Sequence, residues 1–292
     1  MAGISVLILT RNEQKDLPGC LDSVRWSDDV HVLDSLSTDD TVSIAKSFGA
    51  KVAERSFDGY ATQRNYGLHQ IAYRHSWVLL LDADERIPAT LTRSLDVFVA
   101  TAPEQVVAAR IRRRDFWRER WLKHAQISPF YTRLVRPSRV HFEREVNELL
   151  VVDGETRDIP GYFDHFPFSK GLEQWVAKHN NYSRMEAELI AYGQVLRPSW
   201  KLALFGQDFH ERRKHQKAIF YRLPGRPIIK FCYMMFVRRA FLDGWPGVRY
   251  AILQCVYEYL IVLKAKEIIS ARMLNDAHAT VHGMPETQHK GG

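Results

Sequence analysis

The stretch Trp77-Val-Leu-Leu-Leu-Asp-Ala-Asp-Glu-Arg86 constrains the fold of this chain more than any other. It opens on a continuous apolar run, the pattern of a strand buried on both faces, as in a parallel sheet. Such a strand needs helices on each side, which points to an α/β architecture. The run ends in Asp82 and Asp84, with Glu85 alongside. In open α/β sheets, ligands bind beyond the carboxyl ends of the strands. Two carboxylates there repel each other unless a cation lies between them. Mg2+ and Mn2+ favour oxygen ligands and take one or two carboxylates together with substrate phosphates. One reading of the pair is therefore a metal–diphosphate site. The other is an acidic turn capping the helix that starts near Pro88.

The preceding sequence repeats the strand–helix pattern. Residues 4–10 form an apolar strand, and Asp16 with Pro18 opens a helix running to about Val24. A second strand follows at 30–34, then a polar loop at 35–40 and a helix over 41–48 closed by Gly49. A short strand at 51–54, a helix over 60–74 and a strand at 76–81 complete the series. This alternation predicts a doubly wound, mainly parallel sheet. No GxGxxG follows the first strand and no GxxxxGK[ST] occurs anywhere, so dinucleotide-dehydrogenase and P-loop readings lose their main support. Polar groups gather at strand ends instead: Thr10, Arg11, Asn12 and Glu13; Asp34 and Ser35; Asp82 and Asp84. Capping explains any one such loop, whereas three on one sheet edge look like a polar ligand site.

Four segments, in this order and spacing, carry a family resemblance: Ser5-Val-Leu-Ile-Leu-Thr-Arg-Asn-Glu13, Val32-Leu-Asp-Ser-Leu-Ser-Thr-Asp-Asp-Thr41, Gly59-Tyr-Ala-Thr-Gln-Arg-Asn-Tyr-Gly67 and Leu81-Asp-Ala-Asp-Glu85. Residues 4–100 resemble the family 2 glycosyltransferases of GT-A fold. The branch they look most like is the lipopolysaccharide-core β-1,4-glucosyltransferases and their exopolysaccharide relatives. Arg112-Arg-Arg-Asp-Phe116 with Trp121, Val146-Asn-Glu148 and Ala240-Phe-Leu-Asp-Gly-Trp-Pro-Gly247 extend the likeness, more loosely after residue 170.

The resemblance implies a nucleotide pocket lined by Thr10, Asn12 and Glu13, with Asp34 on the uracil and Gln63, Arg64 and Asn65 near base, ribose or diphosphate. It implies that Asp82 contacts ribose or metal, that Ala83 lies beside it in the donor site, and that Asp84 ligates Mg2+ or Mn2+. The donor is then a UDP-sugar and the reaction an inverting single displacement. Two positions depart from the pattern. Leu36 replaces a usual glycine, and Asn147 replaces the usual His of a His-Glu pair.

Such a transfer needs the charge on the leaving diphosphate stabilised, an oxocarbenium-like centre tolerated, and a proton removed from the acceptor hydroxyl. Glu148 is the candidate base, with Asp115 and Asp164 in reserve; an exposed strand-end carboxylate paired with an arginine is the alternative for Glu148. His165 reads as a hydrogen-bonded structural residue ahead of a metal ligand. Arg112, Arg113 and Arg114 could bind a diphosphate or line a solvated strand face, with neighbours pointing to opposite sides.

Charge is unevenly distributed. Residues 1–109 carry 10 Lys/Arg and 15 Asp/Glu, whereas residues 110–292 carry 31 and 19. The basic half predicts an anionic partner. From about residue 172 the pattern turns helical, and basic residues interleave with aromatics over 197–249. That mixture suits a helix in the interface of an anionic membrane, a glycolipid or saccharide acceptor, or a homo-oligomer contact. No RRM, KH or zinc-finger pattern supports nucleic acid. Residues 248–263 read as a docked or interfacial helix, too polar and short to span a bilayer. Cys20, Cys232 and Cys255 form no metal-ligand pattern and read as reduced cytosolic thiols. The first residues read as a strand and not as a signal peptide.

The domains expected are a GT-A catalytic domain over 1–168, a basic helical region over 169–275 and a disordered tail over 276–292. Expected activity is transfer of a hexose, glucose favoured, from a UDP-sugar to a lipopolysaccharide-core or lipid-linked saccharide at the inner face of the cytoplasmic membrane. A non-catalytic nucleotide-sugar-binding scaffold and a metal-dependent nucleotidyltransferase are the alternatives.

Overall fold

A computed structural model of the chain describes residues 3–143, 149–207 and 209–282. The chain divides into two compact units, Met1–Gly171 and Leu172–Gly292.

The first unit runs β1 (Ile4–Thr10), α1 (Leu17–Ser23), β2 (Val30–Asp34), α2 (Thr41–Ser47), β3 (Lys51–Glu54), α3 (Tyr60–Gln70), β4 (Trp77–Asp82), β5 (Glu85–Arg86) and α4 (Ala89–Thr101). It continues through β6 (Val106–Trp117), β7 (Arg120–Trp121), β8 (Phe130–Val135), β9 (Val140–Glu143), β10 (Leu149–Val152) and β11 (Glu155–His165). The main sheet has the order β3-β2-β1-β4-β8-β6-β11-β5, with β7 paired to β6. Its first half is parallel as the alternation predicts. The antiparallel strand β8 then interrupts the run between β4 and β6. Because β8 reverses and β6 reverses again, β6 and its parallel neighbour β11 point the same way as β4. The carboxyl ends of β1, β2, β4, β6 and β11 thus share one edge.

Period-two alternation sorts the strands onto two cores. Val6, Ile8, Leu79 and Leu81 join the cluster on one face, while Leu7, Leu33, Val78 and Leu80 join the cluster on the other. Burying each such side chain contributes about 1.5–3 kcal/mol. Gly67 lets α3 lie close on β1, since a Cβ there would sit 2.6 Å from a Leu7 methyl. Helix α3 stops at Gln70, short of the expected residue 74. Its end is pinned by Tyr73, whose hydroxyl donates to the Gly67 carbonyl at 2.6 Å and whose ring meets His31 edge-on.

The second unit contains α5 (Leu172–Ala191), α6 (Trp200–Phe205), α7 (Phe209–Phe220) and α8 (Arg226–Cys232). A π-turn over Tyr233–Val237 and a 3-10 turn over Ala240–Asp243 lead into α9 (Trp245–His282). Helices α5 and α8 both pack on α9. Lys264 of α9 donates to Asn180 O at 2.7 Å and to Ser183 Oγ at 2.8 Å, fastening it to α5. Helix α9 runs on to His282, into the segment expected as a tail from residue 276. Residues 275–282 contain neither glycine nor proline, so nothing in them breaks the helix until Gly283. Residues beyond 282 lie outside those described.

Candidate active site

Register brings the predicted strand ends together. Thr10 pairs with Asp34 across β1 and β2, and Leu9 pairs with Asp82 across β1 and β4. At the first of these ends Thr10 Oγ1 donates to Asp34 Oδ1 at 2.7 Å. Asp34 is fully buried and also accepts from the backbone NH and hydroxyl of Ser37, at 2.7 and 2.6 Å. This carboxylate holds the 35–38 loop, Oδ1 accepting two hydrogen bonds and Oδ2 one. Leu36, in place of a glycine, still adopts the left-handed conformation with φ 55° and leaves its side chain exposed. Asn12 is likewise left-handed, and its side-chain oxygen accepts from Thr38 N at 2.8 Å. The two loops brace each other.

Glu13 lies under this bracing. Its NH donates to Thr41 Oγ1 at 2.7 Å, and Lys170 Nζ donates to its Oε1 at 2.5 Å. Among the described residues its Oε2 is buried without a partner. Burial pushes the carboxyl up to about 7 against the pull of Lys170. Gln63 is buried between Arg55, which donates to its Oε1 at 2.6 Å, and the Ser35 hydroxyl at 3.1 Å.

At the β4 end the two acidic residues part company. Arg64 lies 3.3 Å from one Asp82 oxygen and Arg133 lies 3.2 Å from the other. Burial would raise this carboxyl, but the two guanidinium groups outweigh it and hold Asp82 below the usual carboxylate range. Arg133 is buried and also pairs with Glu85, which is fully buried and accepts from Asp82 N at 3.1 Å. Burial pulls the Glu85 carboxyl upward despite that bond. Ala83 is buried, and its carbonyl accepts from Arg86 Nη1 at 2.7 Å.

Asp84 faces His165. Its Oδ2 lies 3.3 Å from Nε2 of the ring, while Nδ1 donates to Asp115 Oδ1 at 2.5 Å. Asp115 is buried, and Arg113 Nε stands 3.1 Å from the same oxygen. Burial alone would lower the imidazole; the Asp84 charge and the bond to Asp115 carry it up to about 9. The β-ladders explain the meeting, because His165 of β11 pairs with both Asp115 of β6 and Glu85 of β5.

Once Nε2 gives up its proton, this donor pair fits a hard divalent cation, which would take the proton's place between ring and carboxylate. Cis ligands on octahedral arms of about 2.1 Å stand about 3 Å apart, close to the observed separation. A carboxylate on one ring nitrogen of a histidine orients the other toward a metal. Among the described residues no cluster of three or more His, Cys, Asp or Glu side chains forms a cage. The rest of the shell would have to come from water and diphosphate oxygens.

Asn65 does not join the site. Its amide donates to Phe142 O at 2.8 Å and accepts from Phe142 N at 2.7 Å, clamping β9 to α3. Glu148 and Asn147 lie outside the described residues. Asp164 bonds Arg114 Nε at 2.6 Å, and Arg112 is exposed over the Phe130 ring. Arg133 was not singled out from the sequence. The signal available was an arginine inside the strand pattern Phe130-Tyr-Thr-Arg-Leu-Val135.

A mainly parallel sheet with helices on its faces and acidic residues at the end of its fourth strand defines a GT-A glycosyltransferase fold. The chain belongs to glycosyl transferase family 2, whose model matches residues 5–157. An uncharacterised glycosyltransferase of Rickettsia typhi is 26% identical across 92% of this chain and 88% of that protein. The lipopolysaccharide core biosynthesis glycosyltransferase LpsC of Rhizobium meliloti is 24% identical across 89% and 91%. Among solved structures, a Pyrobaculum calidifontis mannosyltransferase in complex with GDP-Man and Mn2+ aligns with a TM-score of 0.48 at 16% identity, covering 90% of this chain and 86% of that one.

Proposed function

We propose that the chain moves a hexose, glucose by preference, from a UDP-sugar to a lipopolysaccharide-core or lipid-linked saccharide, with inversion, at the inner face of the cytoplasmic membrane. The observation that carries this reading is the facing of Asp84 and His165 at 3.3 Å on the edge where β1, β2 and β4 end. Family membership supports glycosyl transfer. The role of the Rhizobium relative in lipopolysaccharide core biosynthesis supports the acceptor class.

Asp84 and His165 would hold a divalent cation, Mg2+ or Mn2+. When bound, that cation supplies Lewis-acid stabilisation of the charge gathering on the leaving diphosphate. Asp82 already carries Arg64 and Arg133, so it is assigned to ribose contact and not to ligation. Thr10, Asn12, Glu13 and Gln63 shape the nucleotide pocket, with Asp34 acting through its loop. Asp115 and Asp164 are engaged with His165 and Arg114. The acceptor proton is therefore assigned to Glu148, on sequence grounds.

The test is product analysis. Incubation of an α-configured UDP-hexose with Mn2+ and a lipopolysaccharide-core acceptor should release free UDP and leave a β-linked hexose. Release of pyrophosphate would identify a nucleotidyltransferase instead. Absence of any product across a panel of UDP-hexoses would favour a non-catalytic scaffold.

A further inference from the structure

Between α8 and α9 the second unit turns sharply, and the turn exposes large apolar side chains. Phe236 is 73% exposed, Val237 68% and Trp245 73%, with Phe241 and Leu242 about half exposed between them. Ile228, one helical stretch earlier, is 72% exposed.

The turn is built, not frayed. Met234, Ala240 and Asp243 are buried beneath it. Arg239 adopts the left-handed conformation with φ 57°, and Gly244 takes a positive φ of 74°. A side chain at Gly247 would have its Cβ 2.1 Å from the Ala240 carbonyl oxygen, so the turn is closed tightly against the start of α9. A tightly packed scaffold that projects aromatic and aliphatic groups outward has them facing something other than water.

Charge identifies the partner. From residue 212 to 266 the sequence carries 12 Lys/Arg and only two acids, Asp243 and Glu258. Both acids are buried. Arg238 and Arg239 lie within the turn itself, and Arg249 follows on α9. Within the turn the charged side chains are Arg238, Arg239 and the buried Asp243, so no exposed carboxylate lies between Phe236 and Trp245. A two-fold contact between copies of this chain through the same patch would set arginines against arginines. Phe236, Phe241 and Trp245 offer stacking faces, but the similarly exposed Ile228, Val237 and Leu242 among them do not, which disfavours single-stranded nucleic acid. Apolar groups that enter an acyl boundary while arginines meet anionic headgroups match a lipid surface. The apolar stripe continues along α9 through Ile252, Val256, Tyr259 and Leu263, all exposed, while its opposite side packs on α5 and α8. No helix among the described residues is long and apolar enough to cross a bilayer.

We propose that the turn Phe236–Trp245, with the exposed stripe of α9, is a docking surface that seats this chain on an anionic lipid bilayer. This deepens, and rests on, the reading that the acceptor is lipid-borne.

The experiment is vesicle flotation of the full-length protein, using phosphatidylcholine with or without phosphatidylglycerol at low and high salt. The wild type should float with anionic vesicles at low salt and partition at least tenfold less onto pure phosphatidylcholine. Phe236→Ser/Trp245→Ser should lose binding at least tenfold at either salt. Arg238→Ser/Arg239→Ser should lose the anionic preference and the salt dependence. Circular dichroism melts and light scattering on each variant separate these outcomes from misfolding. A wild type that stays unbound on anionic vesicles at low salt overturns the proposal. So does a folded Phe236→Ser/Trp245→Ser variant that floats like wild type, or a solution dimer that this variant dissolves. UDP-sugar binding is measured on the same samples. Vesicle binding without donor binding would leave the docking surface standing and the transferase reading in error; the reverse would do the opposite.

Discussion

Asp115 Oδ1 lies 2.5 Å from His165 Nδ1, and this bond points the other ring nitrogen at Asp84. The buried carboxylate fixes a ring that would otherwise rotate. Partners of this kind commonly matter about 10–100-fold in metal affinity. Asp115→Asn should therefore weaken Mn2+ binding by about that factor, read by electron paramagnetic resonance of free Mn2+. Asp115→Glu should recover part of the loss. Unchanged Mn2+ affinity in folded Asp115→Asn would remove His165 from the cation site.

Arg133 and Glu85 form a buried pair beneath Asp82. Removing one partner of such a pair leaves an uncompensated buried charge and costs about 3–5 kcal/mol, whereas replacing both by apolar groups is often close to neutral. Arg133→Met should be strongly destabilising in urea, and Arg133→Met/Glu85→Leu should restore most of the loss. Additive losses in the double variant would show that the two residues do not act as a pair.

Leu36 holds a left-handed backbone with its side chain in solvent. That conformation costs about 1–2 kcal/mol for a residue with a Cβ, while glycine forfeits about 0.5–1 kcal/mol in backbone entropy. On balance the first outweighs the second, so Leu36→Gly should stabilise the first unit by up to about 1.5 kcal/mol. A lower urea midpoint would mean that Leu36 makes contacts its exposure does not reveal.

Asp29 is fully buried and accepts from Ser5 Oγ at 2.6 Å, Lys51 Nζ at 2.7 Å and Arg74 N at 2.7 Å. Burial would raise its carboxyl, but these partners and His31 prevail and hold it well below the usual range. A carboxylate with a lowered folded pKa binds fewer protons folded than unfolded. Its contribution is thus complete above the unfolded value of about 4 and declines as pH falls through and below it. With His31→Gln in both proteins, so that the imidazole beside Asp29 does not titrate, the stability gap between the forms without and with Asp29→Asn should be constant from pH 5 to 7 and narrow below about pH 4. Urea titrations at several pH values measure it, and a gap that widens in acid would reverse the assignment.

Local pattern made much of this legible. The apolar runs at 4–10 and 77–81 and Gly49 at φ 79° mark their elements in a few residues each. The Asp82–Asp84 pair marks the end of β4 for the same reason. His165 and Asp115 were not legible as a unit, because they are 50 residues apart and only the β6–β11 register joins them. The antiparallel strand β8 escaped the alternation rule and brought in Arg133, which takes one side of Asp82. Asn65 sits in a segment that resembles the family, yet its amide is spent on the Phe142 backbone, a pairing that spacing cannot show.

In the proposed function Asp84 anchors a cation-dependent nucleotide-sugar site. Calorimetry of a UDP-hexose panel with and without Mn2+, on wild type and Asp84→Ala, tests it most directly. The prediction is that at least one UDP-hexose binds the wild type only with Mn2+ and that Asp84→Ala abolishes this binding while the protein remains folded. Equal binding by folded Asp84→Ala, or no binding of any UDP-hexose by wild type in Mn2+, would contradict the claim.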